Sequence, residues 1–306
     1  MKEFFKRGVN LLKLGLAARQ IKKSTSDEQR QWAKQYLVQL LGKSRGLPTK
    51  IGQFMTMDDP SFRESLTNSL VPMPYEEVTE LLDKAYGEPF DTVFKKLDKS
   101  AKVASLGQVH FGKLKDGTEV AIKVQYPEIA KGVEAELDII GWMPKVGPVA
   151  KWGFKMDGYR DAFWDNFKEE LDYGIEMKHQ MRYRQLIPPL ERIVIPEVIE
   201  GLCQPNVLVQ TKEEGFGLDK AETMMPAQKQ AMGRILLEHY FHMLFRHGFV
   251  HADPQPANLA FRQFKKDYFV LILYDFGSVL GIPKEMRLAL LRIILALRNH
   301  ENIDPV

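Results

Sequence analysis

Cysteine is almost missing from this chain: Cys203 is the only one in 306 residues. A disulfide framework or a cysteine-built metal centre within one chain is therefore excluded, and a reducing compartment suits the composition. Charge of one sign is lacking too. The 43 basic and 40 acidic side chains leave a net +3, too little to argue for nucleic acid as a partner. No apolar run reaches the length of a membrane span. The nearest, residues 288–297, is cut by Arg292. Internal repeats and low-complexity segments are absent. What is present is 44% hydrophobic and 27% charged, which suits a soluble globular protein able to bury a core without staples.

Basic residues gather at one end. Residues 1–23 carry Lys2, Lys6, Arg7, Lys13, Arg19, Lys22 and Lys23 against Glu3 alone. Phe4, Phe5, Val9, Leu12 and Leu16 recur beside them at helical spacing. Such a helix can dock on the protein's own core or lie on an anionic membrane surface. Lys13 interrupts the apolar stretch, so the segment does not read as a signal peptide. A cytoplasmic protein, peripheral to a membrane if this helix touches one, is the expectation.

Residues 1 to about 100 read as helices separated by breaks. Ser24-Thr-Ser-Asp-Glu supplies capping chemistry for a helix from Gln29 to Leu41, and Tyr75 to Tyr86 reads as another after Pro72-Met-Pro74. The pattern then turns β-like. Ser105 to Leu114 and Thr118 to Gln125 flank Lys115-Asp-Gly117, whose Asp-Gly pair accepts positive φ cheaply, so a hairpin is predicted. Residues 128 to about 181 read as mostly helical. Two short strands, 195–200 and 206–211, are expected around Gln204-Pro-Asn206. Pro226 to His247 reads as a long helix stopped by Gly248. An apolar, arginine-studded helix closes the chain.

The chemistry concentrates in His251-Ala-Asp253-Pro-Gln-Pro-Ala-Asn258 and Asp275-Phe-Gly277, joined by a predicted β-hairpin of 259–261 and 269–274. Phosphoryl transfer from ATP needs an orienting base, hard oxygen ligands for Mg2+ and positive charge on the phosphates. Asp253 suits the first role. Asn258 and Asp275 offer the oxygens that Mg2+ prefers, and the hairpin would return Asp275 to Asn258. Val120-Ala-Ile-Lys123 puts a lysine on a strand after a hairpin, where phosphate-binding lysines of kinases stand. Glu170, Asp172 and Glu176 offer it carboxylates; periodicity does not choose between Glu170 and Glu176. No Gly-x-Gly-x-x-Gly precedes Lys123. Ala104, Ser105, Leu106 and Gly107 would have to approach the nucleotide instead. No Ala-Pro-Glu and no long activation segment follow Asp275-Phe-Gly277, so the parts that hold a peptide substrate are lacking. His239 and His242 lie in an amphipathic helix without a carboxylate at zinc-site spacing. They read as ordinary helix positions, and His251 as a residue that organises the loop.

These motifs, together with Lys50-Ile-Gly-Gln53, Val103-Ala-Ser-Leu-Gly-Gln-Val-His110 and Glu170-Leu-Asp172, resemble the UbiB family of atypical kinases from about Gly42 to Ile282. The resemblance implies an α+β, bilobal protein-kinase-like fold with an extra helical N-terminal segment. It implies a helical extension over 1–100 carrying Lys-x-Gly-Gln, an N-lobe with inserted helices over 101–214 and a short C-lobe over 215–306. Lys50 would point toward Glu170 and Asp172, and Gln53 would sit near Lys123 and Glu176. ATP or ADP with Mg2+, ATPase activity and little action on other proteins are what the family implies. Gln255 replaces the family's usual histidine and Ala257 its glycine. The expected function is an ATPase or phosphotransferase acting on or with a small molecule or a quinone-like or isoprenoid lipid, in support of ubiquinone biosynthesis or lipid homeostasis. The competing expectation is a nucleotide-binding pseudokinase that presents lipids or scaffolds other proteins without turnover.

Overall fold

A computed structural model of the 306-residue chain describes residues 26–43, 69–104, 106–127, 169–187 and 192–299, with Lys13, Leu16, Ala17, Gln20 and Ile129 besides. It divides into two compact units, Met1–Leu171 with Asn206–Leu208, and Asp172–Pro205 with Val209–Val306.

In the first unit, α1 (Asp27–Lys43) starts where the sequence predicts, with Ser26 Oγ accepting the Gln29 N–H at 3.2 Å. The next helix, α2 (Tyr75–Tyr86), follows Pro74, carries Glu76 and Glu77 in its first turn and Lys84 in its last, and ends on Gly87 at φ 73°. Those charges complement the helix dipole, and the left-handed glycine terminates the hydrogen-bond ladder. Val78 and Leu82, one turn apart, are fully buried. After the single turn α3 (Phe90–Val93) comes β1 (Phe94–Val103), a strand inside the region that reads as helical by sequence. Its polar residues hid it: Phe94 and Leu97 are buried, whereas the lysines between and after them face outward.

The strands β2 (Gly107–Leu114) and β3 (Glu119–Gln125) form the predicted hairpin around Gly117 at φ 95°. Their register is regular, with Val109 opposite Lys123 and His110 opposite Ile122. The sheet order is β1-β2-β3-β5, the start of β5 (Val207–Thr211) lying beside β3 through Gln125 N–H to Asn206 O at 3.0 Å. Buried Gln108 ties this sheet to the chain before α2, and buried His110 braces it from within the sheet. Gln108 Oε1 accepts the Met73 N–H at 2.6 Å, and its Nε2 lies 2.8 Å from His110 Nε2. His110 Nδ1 lies 2.8 Å from the Asp98 carbonyl, so this nitrogen carries the proton and Nε2 accepts from the amide. Burial lowers the pKa of His110, which favours that neutral ring.

The second unit is built on a sheet of order β4-β8-β7, from β4 (Ile193–Val194), β7 (Leu259–Lys265) and β8 (Tyr268–Leu273). Residues 269–273 are all buried, as are 259–261. A sheet covered on both faces needs an uninterrupted apolar run rather than alternation. The expected strand over 195–200 is replaced by β4, which pairs parallel with β8 through Ile193 opposite Leu271. Between them and β5 only an isolated bridge, Val198 with Gln210, survives. Pro196 has no N–H to contribute to a ladder, which accounts for the shift. Around the sheet pack α4 (Tyr173–Leu186), the short α5 (Leu218–Glu222) and α6 (Pro226–His242). Tyr183, Met243, Phe249, Phe269 and Phe276 form the centre of that core. The long helix expected to run to His247 changes character at Met243, where a π-helical turn, Met243–His247, takes over until Gly248 at φ 63°. A small antiparallel pair joins β6 (Phe249–His251) to β9 (Val279–Gly281), and α7 (Lys284–Asn299) follows.

A candidate phosphotransfer site

In the second unit β6 delivers His251 to the start of a loop, and β7 and β8 return the chain beside it. His251 Nε2 lies 3.0 Å from the Tyr274 carbonyl, and His251 Nδ1 accepts the Asp253 N–H at 3.3 Å. A nitrogen that accepts cannot hold the proton, so the ring is the Nε2–H tautomer, donating to Tyr274. One imidazole thereby ties the loop that carries Asp253 to the segment that carries Asp275. Phe276, fully buried, meets the His251 ring edge-on at 5.2 Å and the Tyr183 ring at 5.1 Å.

The loop's side chains hold one another. Gln255 Nε2 donates to Asp253 Oδ2 at 3.0 Å. The Asn258 amide donates to the Asp253 carbonyl at 3.0 Å and to Oδ2 at 3.3 Å. Asn258 is 5% exposed, so these bonds fix its amide with Nδ2 toward Asp253 and Oδ1 on the other side. The Tyr274 N–H donates to the Asn258 carbonyl at 2.9 Å, which brings Asp275 next in chain to that partner. Asp275 has φ 56°, the only positive φ outside glycine among the described residues. Its Oδ1 accepts the Gly277 N–H at 3.2 Å, which orients the carboxylate. Left-handed backbone costs an ordinary L-residue about 1–2 kcal/mol, and aspartate less, because its short side chain bonds locally as it does here to Gly277. Such strain persists where surrounding structure over-determines it. Here the ladder of β6 with β9 supplies that constraint, through Ala252 N–H to Ser278 O at 2.9 Å and the pairing of His251 with Val279.

Asp253, Asn258 and Asp275 are thus gathered within the second unit. Glu176 and Asp172 belong to the same unit: Asp172 caps α4 by accepting the Gly174 N–H at 2.8 Å, and Glu176 is 1% exposed on its first turn. His179, one turn on, lies with Nδ1 3.3 Å from the Phe276 carbonyl. Lys123 and Glu170 belong to the first unit. Lys123 is half-buried on β3, between the fully buried Ile122 and Val124. Of the loop expected to meet a nucleotide, the Ala104 N–H donates to Gly107 O at 2.9 Å, and Leu106 is buried with its carbonyl accepting the Tyr126 N–H at 3.0 Å. Lys50, Gln53, Ser105 and residues 1–12 lie outside the described residues. Sequence reasoning gave no role to Gln255, which proves to hold the Asp253 carboxylate. Its position two residues from Asp253, between two prolines, was the available signal. Gln108 and His110 were also without a role.

Burial sets the electrostatics around the loop. The Tyr274 phenol, donating to the Glu213 carbonyl at 2.9 Å, is pushed up to about 12 by desolvation first, with Arg262 opposing and Glu213 and Glu214 adding. Tyr240 on α6 is raised further, by desolvation and then by the negative charge of Asp253. His239, 3% exposed and 3.0 Å from the Tyr183 hydroxyl, is lowered to about 4 by burial first and then by repulsion from His242 and His251. Tyr274, Tyr240 and His239 are therefore all neutral near pH 7.

A sheet-bearing unit with a lysine on its third strand, and a second unit with an Asp–Asn loop and an Asp-Phe-Gly turn on its hairpin, define the protein-kinase-like class. Residues 65–304 match the ABC1 atypical kinase-like domain, and the chain belongs to that family. It is 29% identical over 252 residues to the mitochondrial atypical kinase coq-8 of Caenorhabditis elegans, covering 79% of this chain and 33% of that protein. It is 27% identical over 257 residues to the mitochondrial atypical kinase COQ8B of Danio rerio, covering 81% and 41%. The chain thus spans about a third to two fifths of the length of these curated relatives. Among solved structures, the erythromycin complex of Rv3197 from Mycobacterium tuberculosis aligns with TM-score 0.59 and 26% identity, over 86% of this chain and 68% of that one. The UbiB-type resemblance and the α+β kinase-like fold therefore both hold. No helix among the described residues is long and apolar enough to cross a membrane.

Proposed function

We propose that the chain is an ATP- or ADP-binding, Mg2+-dependent atypical kinase or ATPase of the UbiB type. The observation that carries this is the locked loop: Gln255 and Asn258 both donate to Asp253 Oδ2, while Tyr274 N–H holds Asn258 beside Asp275. Both donors fall on one oxygen of Asp253, so Oδ1 is the one left to orient or deprotonate a water or hydroxyl. Asn258 Oδ1, turned from Asp253, and the Asp275 carboxylate make an all-oxygen donor pair of the kind Mg2+ accepts. Bound Mg2+ would neutralise charge on the nucleotide's phosphates and hold them in line for transfer. Lys123 on β3 supplies positive charge to the phosphates in this reading. Glu170 or Glu176 is its carboxylate partner, and Ala104 to Gly107 the backbone approaching the nucleotide. Lys50 and Gln53, by family resemblance, regulate turnover.

The acceptor is read as a small molecule, a quinone-like or isoprenoid lipid, or water. Asp275-Phe-Gly277 is followed within a few residues by β9 and α7, so no long activation segment lies between them to hold a peptide. Two relatives are named mitochondrial atypical kinases of the COQ8 type, which favours a role in ubiquinone biosynthesis or lipid homeostasis. Residues 1–23 are the proposed membrane contact, and the cytoplasmic face of a membrane the proposed place. ATP hydrolysis measured with and without anionic liposomes and quinone-like lipids tests the assignment. Mg2+-dependent nucleotide binding without any turnover, under all of those conditions, would favour the scaffolding pseudokinase. Parental nucleotide binding by Asp275→Asn would remove the site assignment itself.

A further inference from the structure

The helix α4 makes polar contacts that the phosphotransfer chemistry does not use directly. Glu176, Gln180 and Tyr183 share one face of it at helical spacing, and all three are buried. Gln180 is 1% exposed, and its amide donates to the Pro196 carbonyl at 2.8 Å and to Gln210 Oε1 on β5 at 2.6 Å. Both N–H groups of that amide are thereby used, which fixes its orientation. Its Oε1 has no hydrogen-bond partner among the described residues. A buried bare acceptor is unfavourable, so packing alone does not call for glutamine here. His179, the preceding residue, reaches a different partner. Its Nδ1 lies 3.3 Å from the Phe276 carbonyl, which can only accept, so Nδ1 carries the proton. Its ring meets Phe249 edge-on at 6.1 Å, and Tyr183 packs on the Phe276 ring at 5.1 Å.

We infer that His179 and Gln180 are positioning residues. They join α4, β5 and the turn at Asp275-Phe-Gly277 into one block, and so set Glu176 and Asp275 before a nucleotide arrives. Glu176 stands three and four residues before them, so the next turn of the helix carries both sets of bonds. Rotation of α4 that swung Glu176 away would break the Gln180 bonds to Pro196 and Gln210. Withdrawal of the Asp275 turn would break the His179 bond. All of these partners lie in the second unit. In protein kinases a helix glutamate and the Asp-Phe-Gly aspartate must both be in place, and the activation segment and the helix position control this. Here β9 and α7 follow Asp275-Phe-Gly277 within a few residues, and polar struts from α4 hold both groups instead. The roles of Glu176 and Asp275 rest on the proposed phosphotransfer site, whereas the block itself does not.

Hydrogen exchange of the full, nucleotide-free chain tests the block. His179→Leu and Gln180→Met should each speed exchange of the α4 amides by about fivefold, the equivalent of one net hydrogen bond, and leave those of β8 unchanged. Mg2+-dependent ATP hydrolysis by the same variants tests the positioning. His179→Leu should raise the Mg2+ concentration for half-maximal turnover by about tenfold or more. His179→Asn, whose amide can donate from the place of Nδ1, should keep the parental Mg2+ requirement. Gln180→Met should lower kcat by about tenfold or more, with KM for nucleotide within about threefold of the parent. A merely structural pair of bonds would lower the urea midpoint and leave these kinetic values parental. That result, or unchanged α4 exchange in both variants, would overturn the inference. Should Gln180→Met fail to fold, Gln210→Met cuts the same bond from the half-buried strand side and is read in the same way. A parent chain without nucleotide binding or turnover would remove the proposed function, and the exchange rates would still decide whether the block exists.

Discussion

The two hairpins of this chain are built alike and used differently. The pair β2 and β3 turns at Asp116-Gly117 in regular register and offers Lys123 from the middle of a strand, between buried neighbours. The pair β7 and β8 is buried along most of its length, and its polar chemistry sits beyond the strand ends, at Asn258 before β7 and Asp275 after β8. A strand face can hold a long, flexible cation whose stem packs while its head reaches out. Short carboxylate and amide side chains lack that reach, so the backbone itself must be aimed, and this happens where the ladder stops. The second hairpin therefore needs a strained residue, Asp275, and a web of side-chain bonds. The first needs only a glycine in its turn.

That contrast can be broken in order of expected size. Phe276→Ala removes a fully buried ring between Tyr183 and His251 and should cost about 3–5 kcal/mol of stability, read by urea unfolding. Asp275→Asn keeps the backbone, since asparagine tolerates left-handed φ. It should still weaken Mg2+-dependent nucleotide binding by about a hundredfold or more, in line with the several kcal/mol of charge stabilisation lost. Binding within threefold of the parent would end the comparison. Stability should also respond to pH through His239. Its folded pKa of about 4 lies below its ordinary 6.5, so the unfolded chain binds the extra proton between these values. Stability is complete above pH 6.5 and falls as pH drops toward 4, by roughly 3 kcal/mol in all. His239→Gln should flatten that slope. The smallest effects test the backbone. Asp275→Gly should be more stable than Asp275→Ala by about 1 kcal/mol, and Gly117→Ala should cost about the same. A larger loss at Gly117 would mean that the first hairpin is as constrained as the second.

Much of this was visible in the sequence wherever short-range rules govern. The helix from Tyr75 to Tyr86, the Asp-Gly hairpin and the helix stop at Gly248 follow from caps, turn chemistry and periodicity. Elements that depend on distant partners were less visible. The strand β1 hides in a lysine-rich stretch because only one face of it is covered. Ile193–Val194 becomes a strand because β8 lies beside it, and the π turn at Met243–His247 looks like plain helix in sequence. Of the site, the residue types and their order pointed to the chemistry, but Gln255 passed as a mere departure from the family pattern. Its bond to Asp253 is a matter of loop geometry that no spacing rule supplies.

By itself the sequence determined which side chains are available to a nucleotide, the family they belong to, and the strands and helices that carry them, because turn residues and apolar runs act over a few positions. Only the tertiary structure decided that Asn258 turns its amide onto Asp253, that the His251 proton sits on Nε2, and that Asp275 takes a left-handed backbone. Each of these depends on a partner at least five residues away in the chain, or on a ladder closing behind it. A buried polar group settles its orientation by the partner it finds, and that partner exists only once the chain has folded.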